Sequence, residues 1–188
     1  KHPENVSIII CVRNGESALK NILNDLKAQV YNAKFEVIVV DDESHDNTEL
    51  IIRDFAKLDN RFQYISSLNG NKNLSFKKKA LDLGIKLSKF DYLLFTDVDC
   101  RLNKYWVSSM MKNYENDIDY IIGFSLVNKN KKLVSIFQRI DFLMLNISSL
   151  SCSIQGSPLA CTGQNHSYKK KIFYEVKGFN RISNLLQG

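Results

Sequence analysis

The sequence predicts an α/β protein with a mostly parallel central sheet and helices on both faces. Short β-branched segments alternate with longer segments whose apolar residues recur at helical spacing, and the connections between them are short. Segments that are apolar throughout, such as VSIIICV and FEVIVV, are typical of strands buried on both faces. Of the 188 residues, 44% are hydrophobic and only two are proline, which fits one globular domain, with or without extensions.

The predicted elements follow one another in regular order. The first helix, for example, places Leu19, Ile22, Leu23 and Leu26 on one face. An Asp or Asn at the start of the second helix is a typical capping signal. We predict strands over 6–12, 35–40, 62–66, 92–95 and 120–127, and helices over 13–29, 46–58, 74–88 and 104–114.

Residues 133–150 are unusually apolar and are interrupted mainly by Gln138, Arg139, Asp141, Asn146 and serines. One interpretation is a long helix packed on the sheet. The other is an amphipathic helix that lies on a membrane surface or grips a lipid-like acceptor. No uninterrupted apolar run reaches about 18 residues, so no membrane-spanning helix is predicted.

Charge and cysteine usage narrow the possible functions. The net charge of +6 fits an anionic ligand, an anionic membrane, nucleic acid, or simply a lysine-rich surface. Cys11, Cys100, Cys152 and Cys161 are widely spaced and form no C-x-x-C pair, so neither a zinc cluster nor a disulfide framework is indicated. We expect Cys11 and Cys161 to be small core side chains in a protein of a reducing compartment.

Two pairs of acidic residues follow predicted strands. Asp41 and Asp42 follow FEVIVV, and Asp97 and Asp99 follow YLLF. Ligands of open parallel sheets bind at the carboxyl ends of the strands, so we expect these acids to share one rim with the polar end of the first strand at Arg13. They could be caps and turn formers. Crowded carboxylates repel one another, however, and a hard divalent cation that shares a diphosphate would relieve this. If the strand continued through Asp99, its two acids would face opposite sides and have different tasks.

Five segments together resemble the N-terminal part of a family 2 glycosyltransferase with the GT-A fold. The most specific feature is VVDDESHDNT followed about 50 residues later by LLFTDVDC. The resemblance implies a GT-A (Rossmann-like) three-layer sandwich and a single nucleotide-sugar-binding and catalytic domain over residues 1–188. Since the chain begins at Lys1 and stops at Gly188 without a closing element, we expect a fragment that lacks its C-terminal part. The five segments are VSIIICVRNGE, EVIVVDDESHDNT, LSFKKKALDLGI, LLFTDVDCRLNKYW and TGQNHSYKKKIFYEVKGFN.

The resemblance implies a role for each of these acids. Asp42 resembles the residue that hydrogen-bonds a uracil ring, and Asp41 is its neighbour. Asp97 resembles the acid near the ribose and shares the metal site, and Asp99 resembles the acid that ligates Mn²⁺ or Mg²⁺ on the diphosphate. Lys77 falls where such enzymes often place a basic residue near the nucleotide.

Two residues of the first segment depart from the family pattern. Arg13 stands where an aromatic residue is frequent, and Cys11 stands where proline or a hydroxyl residue is usual. We keep Arg13 among the nucleotide-sugar-binding residues. The departures leave the stacking on the base, and with it the identity of the nucleotide, open.

The implied reaction moves a sugar from a nucleotide-diphosphate donor, expected to be a UDP-sugar, to an acceptor hydroxyl with inversion. The metal would stabilise the leaving group, and a carboxylate base would deprotonate the acceptor. In similar enzymes the base belongs to an acid pair soon after a G-G-F segment, which KGFN (177–180) matches with Lys177 in place of the first glycine. We therefore expect the base beyond Gly188 and assign no catalytic residue; Glu175 becomes a candidate if this chain turns over by itself.

Residues 159–168 resemble the strand and turn that border the acceptor. Gly163 would let the backbone approach a ligand, while Gln164, Asn165 and His166 offer donors and acceptors. The alternative is a polar turn with a solvated His166. The resemblance further implies a glycan or lipid-linked acceptor, no nucleic acid, and a cytoplasmic location, at the inner face of the membrane if residues 133–150 bind it.

Three other functions are compatible with parts of this pattern. In a haloacid-dehalogenase-like phosphatase, Asp97 would be a phosphorylated nucleophile, but that motif belongs on the first strand and has glycine and threonine where Cys100 and Arg101 stand. A dinucleotide-binding Rossmann domain is disfavoured because no G-x-G-x-x-G follows the first strand. A non-catalytic nucleotide-binding domain with the same fold stays open.

Overall fold

The computed structural model describes residues 4–114, 117–127, 133–156 and 163–180, and it has the predicted α/β architecture. Residues 159–162, with Cys161, and residues 181–188 lie outside the described part. The strands are β1 (Val6–Val12), β2 (Phe35–Asp41), β3 (Phe62–Ser66), β4 (Tyr92–Thr96), β5 (Tyr120–Ile122) and β6 (Asn165–Lys169). The helices are α1 (Glu16–Lys27), α2 (Thr48–Leu58), α3 (Phe76–Leu87), α4 (Trp106–Lys112), α5 (Leu133–Ile154) and α6 (Lys170–Glu175), with a 3₁₀ turn at Ser67–Asn69.

The strands form one mixed sheet in the order β3-β2-β1-β4-β6-β5. β1 is parallel to both β2 and β4, and β2 is parallel to β3. β6 is antiparallel to β4 and to β5. The direction of strand order reverses at β1, so the carboxyl ends of β2, β1 and β4 flank the place where ligands of such sheets bind.

The core lies on both faces of the sheet. Alternate residues of a strand point to opposite faces, and Ile8 and Ile10 accordingly join one hydrophobic cluster while Ile9 joins another. The first cluster is completed by side chains of α1, α2 and α4, and the second by side chains of α3 and α6. The predicted three-layer sandwich is therefore confirmed.

The structure differs from the prediction mainly after β4. β5 ends at Ile122 rather than at residue 127, and the Gly123 amide that follows it donates to the Asn165 carbonyl of β6 (2.8 Å). The side chain of Asn165 also fills the space beside Gly123. α5 extends to Ile154, four residues beyond the predicted end.

α5 exposes much of its apolar surface. Phe137, for example, is 71% exposed. The described residues therefore do not bury this helix against the sheet. No helix in the described part of the chain is both long and apolar enough to cross a membrane. Large apolar side chains of α5 that are exposed in the same way are Val134, Ile136, Ile140, Met144, Leu145, Ile147, Leu150 and Ile154.

Gly84 allows α3 to lie close to the sheet. A Cβ atom at this position would stand 2.9 Å from Cγ2 of Ile9 and 3.1 Å from Cγ2 of Val40. Carbon atoms in van der Waals contact are about 3.5–4.0 Å apart, so any larger residue must push the helix outward. This contact sets the position of α3, whose first turn carries Lys77.

Gly84→Val should destabilise the fold by about 1–3 kcal/mol, because the added methyl groups overpack the helix–sheet interface. Urea unfolding followed by circular dichroism measures the change. Ser109→Val, at an exposed position of α4, is the control and should change stability by less than about 0.5 kcal/mol. Equal effects of the two substitutions would contradict the close contact.

Candidate functional site

Polar residues from three strand ends meet at one rim of the sheet, as the sequence predicts. The side chain of Cys11, near the end of β1, lies close enough to Asp42, Asp97 and Lys77 to be influenced by their charges. These three residues belong to the ends of β2 and β4 and to the first turn of α3. The convergence follows from the parallel pairing of β1 with β2 and β4.

Reciprocal hydrogen bonds join the loops after β1 and β2. The Asn14 amide donates to Ser44 Oγ (2.8 Å), and Asn14 Oδ1 accepts from the His45 amide (2.8 Å). The Gly15 amide donates to Thr48 Oγ1 (2.9 Å). Asn14 has a φ of 51°, a left-handed conformation that asparagine adopts more readily than most residues. The two loops therefore hold each other in place.

Asp46 serves the starts of two helices. Its Oδ2 accepts from the Glu16 amide (3.0 Å) at α1, and its Oδ1 accepts from the Thr48 amide (3.0 Å) at α2. A side-chain hydrogen bond from Thr48 is the largest influence that lowers the pKa of Asp46. Asp46 therefore accepts hydrogen bonds from backbone amides at the start of both helices, as the predicted capping signal implies, and its carboxylate has a structural role.

Asp41 and Asp42 differ in their surroundings. Asp41 is buried, and its carboxylate accepts from the Ser44 amide (3.0 Å) and from the Tyr64 hydroxyl (3.2 Å). Asp42 is partly exposed and accepts from Ser67 Oγ (3.1 Å). Asp41 therefore organises the loop from within, and Asp42 is the member of the pair at the surface of the rim. Their roles toward a nucleotide stay predictions.

The second acid pair lies on a turn. β4 ends at Thr96, and the Cys100 amide donates to the Asp97 carbonyl (3.2 Å), which closes the segment Asp97–Cys100, here called the acidic turn. The strand does not continue, so the alternation of opposite faces does not apply to Asp97 and Asp99. Asp97 Oδ1 forms an ion pair with Lys77 Nζ (2.7 Å). Asp99 is exposed, and within the described residues its carboxylate makes no hydrogen bond or ion pair.

Lys77 links the acidic turn to the predicted acceptor side. Besides its ion pair with Asp97, its Nζ lies 4.0 Å from where a Cβ of Gly163 would be. Arg13 is exposed at the end of β1, and the described residues provide no ion pair for it. Among the described residues, Lys77 therefore forms an ion pair with one of these acids and Arg13 forms none.

The four predicted acceptor-side residues have different environments. Gly163 and Gln164 precede β6, with Gly163 exposed. The side chain of Asn165 accepts from Trp106 Nε1 (3.0 Å) and donates to the Phe124 carbonyl (3.2 Å). The His166 ring stacks on Phe95 with 4.6 Å between ring centroids. His166 therefore belongs to the sheet and not to a solvated turn, and whether any of the four contacts an acceptor stays a prediction.

Among the described residues, carboxylate oxygens and the ammonium group of Lys77 come together at the rim. The described residues contain no group of three His, Cys, Asp or Glu side chains that could hold a metal. The chain could therefore supply Asp99, and Asp97 beside it, while a diphosphate and water supplied the remaining ligands. Mg²⁺ and similar hard cations are frequently bound in this way.

Sequence reasoning missed Asp25, Gln29 and Arg101, which hold the chain after the acidic turn. Asp25 accepts from Arg101 Nε (2.7 Å), and Gln29 Nε2 donates to the Asn103 carbonyl (2.8 Å). A signal existed for Gln29, since it continues the apolar face of α1 one turn beyond Leu26. A polar residue on that face is expected to be buried and hydrogen-bonded.

A family model described as "Glycosyl transferase family 2" matches residues 7–177. Poly-β-1,6-N-acetyl-D-glucosamine synthase of Staphylococcus aureus is 24% identical over 177 residues, which cover 92% of this chain and 41% of that protein. The chain thus spans about two fifths of the length of this curated relative.

Two solved structures share the fold. The mannosyltransferase PcManGT from Pyrobaculum calidifontis, in complex with GDP-Man and Mn²⁺, has a TM-score of 0.73 at 16% identity, covering 95% of this chain and 48% of that one. Glucosyl-3-phosphoglycerate synthase from Mycobacterium tuberculosis, with Mn²⁺, UDP and glucosyl-3-phosphoglycerate, has a TM-score of 0.64 at 16% identity, covering 90% and 58%. These likenesses confirm the predicted GT-A fold.

Burial raises the pKa of Cys11 to about 12, so its thiol should remain protonated at neutral pH. Since the thiolate is the nucleophile, we expect Cys11 to be alkylated by iodoacetamide at pH 8 far more slowly in the folded protein than in 6 M guanidinium chloride. Peptide mass spectrometry measures the difference. Rapid labelling of Cys11 in the folded protein would contradict the raised pKa of its thiol.

Proposed function

Because the chain belongs to glycosyl transferase family 2, we propose that it binds a nucleotide-diphosphate sugar at this rim and transfers the sugar to an acceptor hydroxyl. The observation that carries the proposal is the acidic turn, where Lys77 forms an ion pair with Asp97 and the carboxylate of Asp99 is exposed. Family membership disfavours the phosphatase and dinucleotide-binding alternatives.

UDP is the nucleotide that we propose for the donor. Asp42 is partly exposed at the end of β2, and Ser67 already orients its Oδ1. A carboxylate fixed in this way can accept from a base N–H or a ribose hydroxyl. The structure of the mycobacterial enzyme contains UDP, whereas that of the archaeal enzyme contains GDP-Man, so the base is a specific point to test.

Asp99, assisted by Asp97, would hold Mn²⁺ or Mg²⁺. The fit rests on the exposed Asp99 carboxylate and on the oxygen chemistry of the donor set. A bound cation would stabilise the negative charge on the leaving diphosphate. Lys77 would add a positive charge within reach of the same phosphates, as a flexible point charge does. Inverting transfer also needs one base to take the acceptor proton, and none is assigned here.

A glycan or lipid-linked acceptor would approach from the side of Gly163 and Gln164. Gly163 is exposed and adjoins Lys77, so an acceptor there would be near the donor phosphates. We further propose that α5 lies on the inner face of a membrane, where its exposed apolar side chains would be buried among lipids. We accordingly propose a cytoplasmic location, from which the protein can reach both the acceptor and the inner face of the membrane.

Calorimetric titration with UDP tests the donor site. The wild-type chain should bind UDP in Mn²⁺ and lose most of the affinity in a chelator. Asp99→Asn should remove the dependence on Mn²⁺, because an amide is a much poorer ligand than a carboxylate. Asp42→Ala should weaken UDP binding by roughly tenfold, as expected for one or two lost hydrogen bonds near 1–1.5 kcal/mol, and leave Mn²⁺-dependent pyrophosphate binding unchanged.

Pyrophosphate is the internal control because it has no base or ribose. If UDP binds wild-type protein equally well with and without the chelator, the metal role of Asp99 is wrong. If both variants lose affinity equally for UDP and for pyrophosphate, the division of roles between Asp42 and Asp99 is wrong.

Cosedimentation with liposomes tests the membrane surface. Phe137→Asp, at a side chain 71% exposed on α5, should reduce binding to vesicles that contain phosphatidylglycerol. Leu58→Asp, at an 81% exposed apolar residue at the end of α2, changes hydrophobicity and charge in the same way and should leave binding unaltered. Equal binding by wild type and Phe137→Asp would show that α5 does not contact lipid.

A further inference from the structure

The carboxylate of Asp99 has nothing in the described residues that holds it directly. The side chain is exposed, and the acidic turn is closed by one backbone hydrogen bond, from the Cys100 amide to the Asp97 carbonyl. A ligand group generally has to be held within about 0.5 Å of its productive position. The position of Asp99 therefore depends on how the chain on either side of the turn is fixed.

On the upstream side the turn is fixed by β4, and on the downstream side by Asp25 of α1. Asp25 Oδ2 accepts from Arg101 Nε (2.7 Å) and from the Leu102 amide (2.9 Å), while Oδ1 accepts from the Arg101 guanidinium (3.0 Å). A two-pronged arginine–carboxylate pair has a defined geometry as well as a favourable energy. The hydrogen bond from Arg101 also holds the pKa of Asp25 below its usual value, so the pair is charged at neutral pH.

Gln29 fixes the next residues of the same segment. It is buried, and its Nε2 donates to the carbonyls of Asn103 (2.8 Å) and Asp25 (3.0 Å). Its Oε1 accepts from the Val107 amide (3.0 Å). The Gln29 side chain thus connects the end of α1 to Asn103, which precedes α4, and to Val107, in the first turn of α4.

Two further contacts hold this part of the chain. A Cβ at Gly15 would lie 3.3 Å from Cγ2 of Val98, which places Val98 against the start of α1. Trp106 Nε1 donates to Asn165 Oδ1 (3.0 Å) on β6. The chain from 98 to 107 is therefore attached to the core, to α1 and to β6, while Asp99 faces solvent.

We propose that Asp25 and Gln29 are positioning residues that fix the acidic turn and thereby preorganise Asp99 for its cation. The proposal rests on the proposed function, in which Asp99 ligates the metal. Five residues separate the end of β4 from Leu102, and both limits are hydrogen-bonded, so the turn has few conformations open to it. Releasing Leu102 and Arg101 would allow the turn to move away from the diphosphate.

A second aspartate–arginine pair offers a matched control. Asp59 accepts from Arg61 Nε (3.0 Å) and from its terminal nitrogen (2.6 Å), and its side chain is 12% exposed, compared with 14% for Asp25. Arg61 also donates to the Lys27 carbonyl, so this pair is attached to the same end of α1. Within the described part of the chain, neither Asp59 nor Arg61 contacts the acidic turn.

The experiment compares Asp25→Asn with Asp59→Asn in the full chain. Hydrogen–deuterium exchange should become faster over residues 97–100 in Asp25→Asn only. Calorimetry with UDP should show that Asp25→Asn lowers the Mn²⁺-dependent gain in affinity by roughly tenfold, as loss of an outer-shell partner commonly does. Affinity in the presence of chelator should not change. Asp59→Asn should lower the melting temperature to a similar degree and change neither readout.

Unchanged exchange over residues 97–100 in Asp25→Asn, or equal changes in both variants, would overturn the positioning role. If the wild-type chain binds UDP with no dependence on Mn²⁺, the proposed function fails, and the exchange measurement still decides whether Asp25 fixes the turn. Should Asp25→Asn fail to fold, Arg101→Lys takes its place with the same expected outcomes, because lysine keeps the charge and loses the two-pronged geometry.

Discussion

The rest of the structure depends on the parallel pairing of β1 with β2 on one side and β4 on the other. Parallel strands end on the same side of a sheet, so the residues that follow all three strands must share one rim. The pairing is held by side chains buried on both faces, including Ile8, Ile9 and Ile10. Burial of each such side chain contributes roughly 1.5–3 kcal/mol. Burial of apolar side chains, and not any polar contact, therefore brings these acidic residues to one rim of the sheet.

Carboxylates that lie close together repel one another, and hydrogen bonds or an ion pair to most of these carboxylates reduce the repulsion. Asp41 and Asp46 accept hydrogen bonds from loop amides, and Asp97 faces Lys77. Asp42 is partly exposed and Asp99 is exposed, so these two carboxylates are the ones that a ligand can reach. Only Asp99 among these lacks a hydrogen bond or ion pair within the described residues, which is the arrangement expected of a group reserved for a cation that arrives with its substrate.

The preorganisation of this site extends well away from the rim. Asp25 and Gln29 sit near the end of α1, yet they hold the backbone that follows the acidic turn. Trp106 and Asn165 connect the same segment to β6 and so to the predicted acceptor side. The proposed donor region and the predicted acceptor side therefore share supports in α1 and α4.

The sequence alone determined the three-layer fold, the positions of the first four strands along the chain, and the expectation that the two acid pairs follow strands that end on one rim. Those features depend on hydrophobic periodicity and on the strand-end rule, which are local signals. Tertiary structure decided which acid is buried and which is exposed, and which groups each one contacts. Asp41 and Asp42 are adjacent in sequence, and only the positions of Tyr64 and Ser67 on neighbouring segments distinguish them.

The end of β4, the short β5 and the surroundings of His166 likewise depend on contacts between residues far apart in the chain. The sequence leaves open whether His166 borders an acceptor or lies in a solvated turn, and its stacking on Phe95 follows from the register of two antiparallel strands. The hydrogen bonds that Asp25 accepts from Arg101 and Leu102 join residues 76 and 77 positions apart. Composition and spacing carry no information on such pairings, because they are set by how whole helices pack on the sheet.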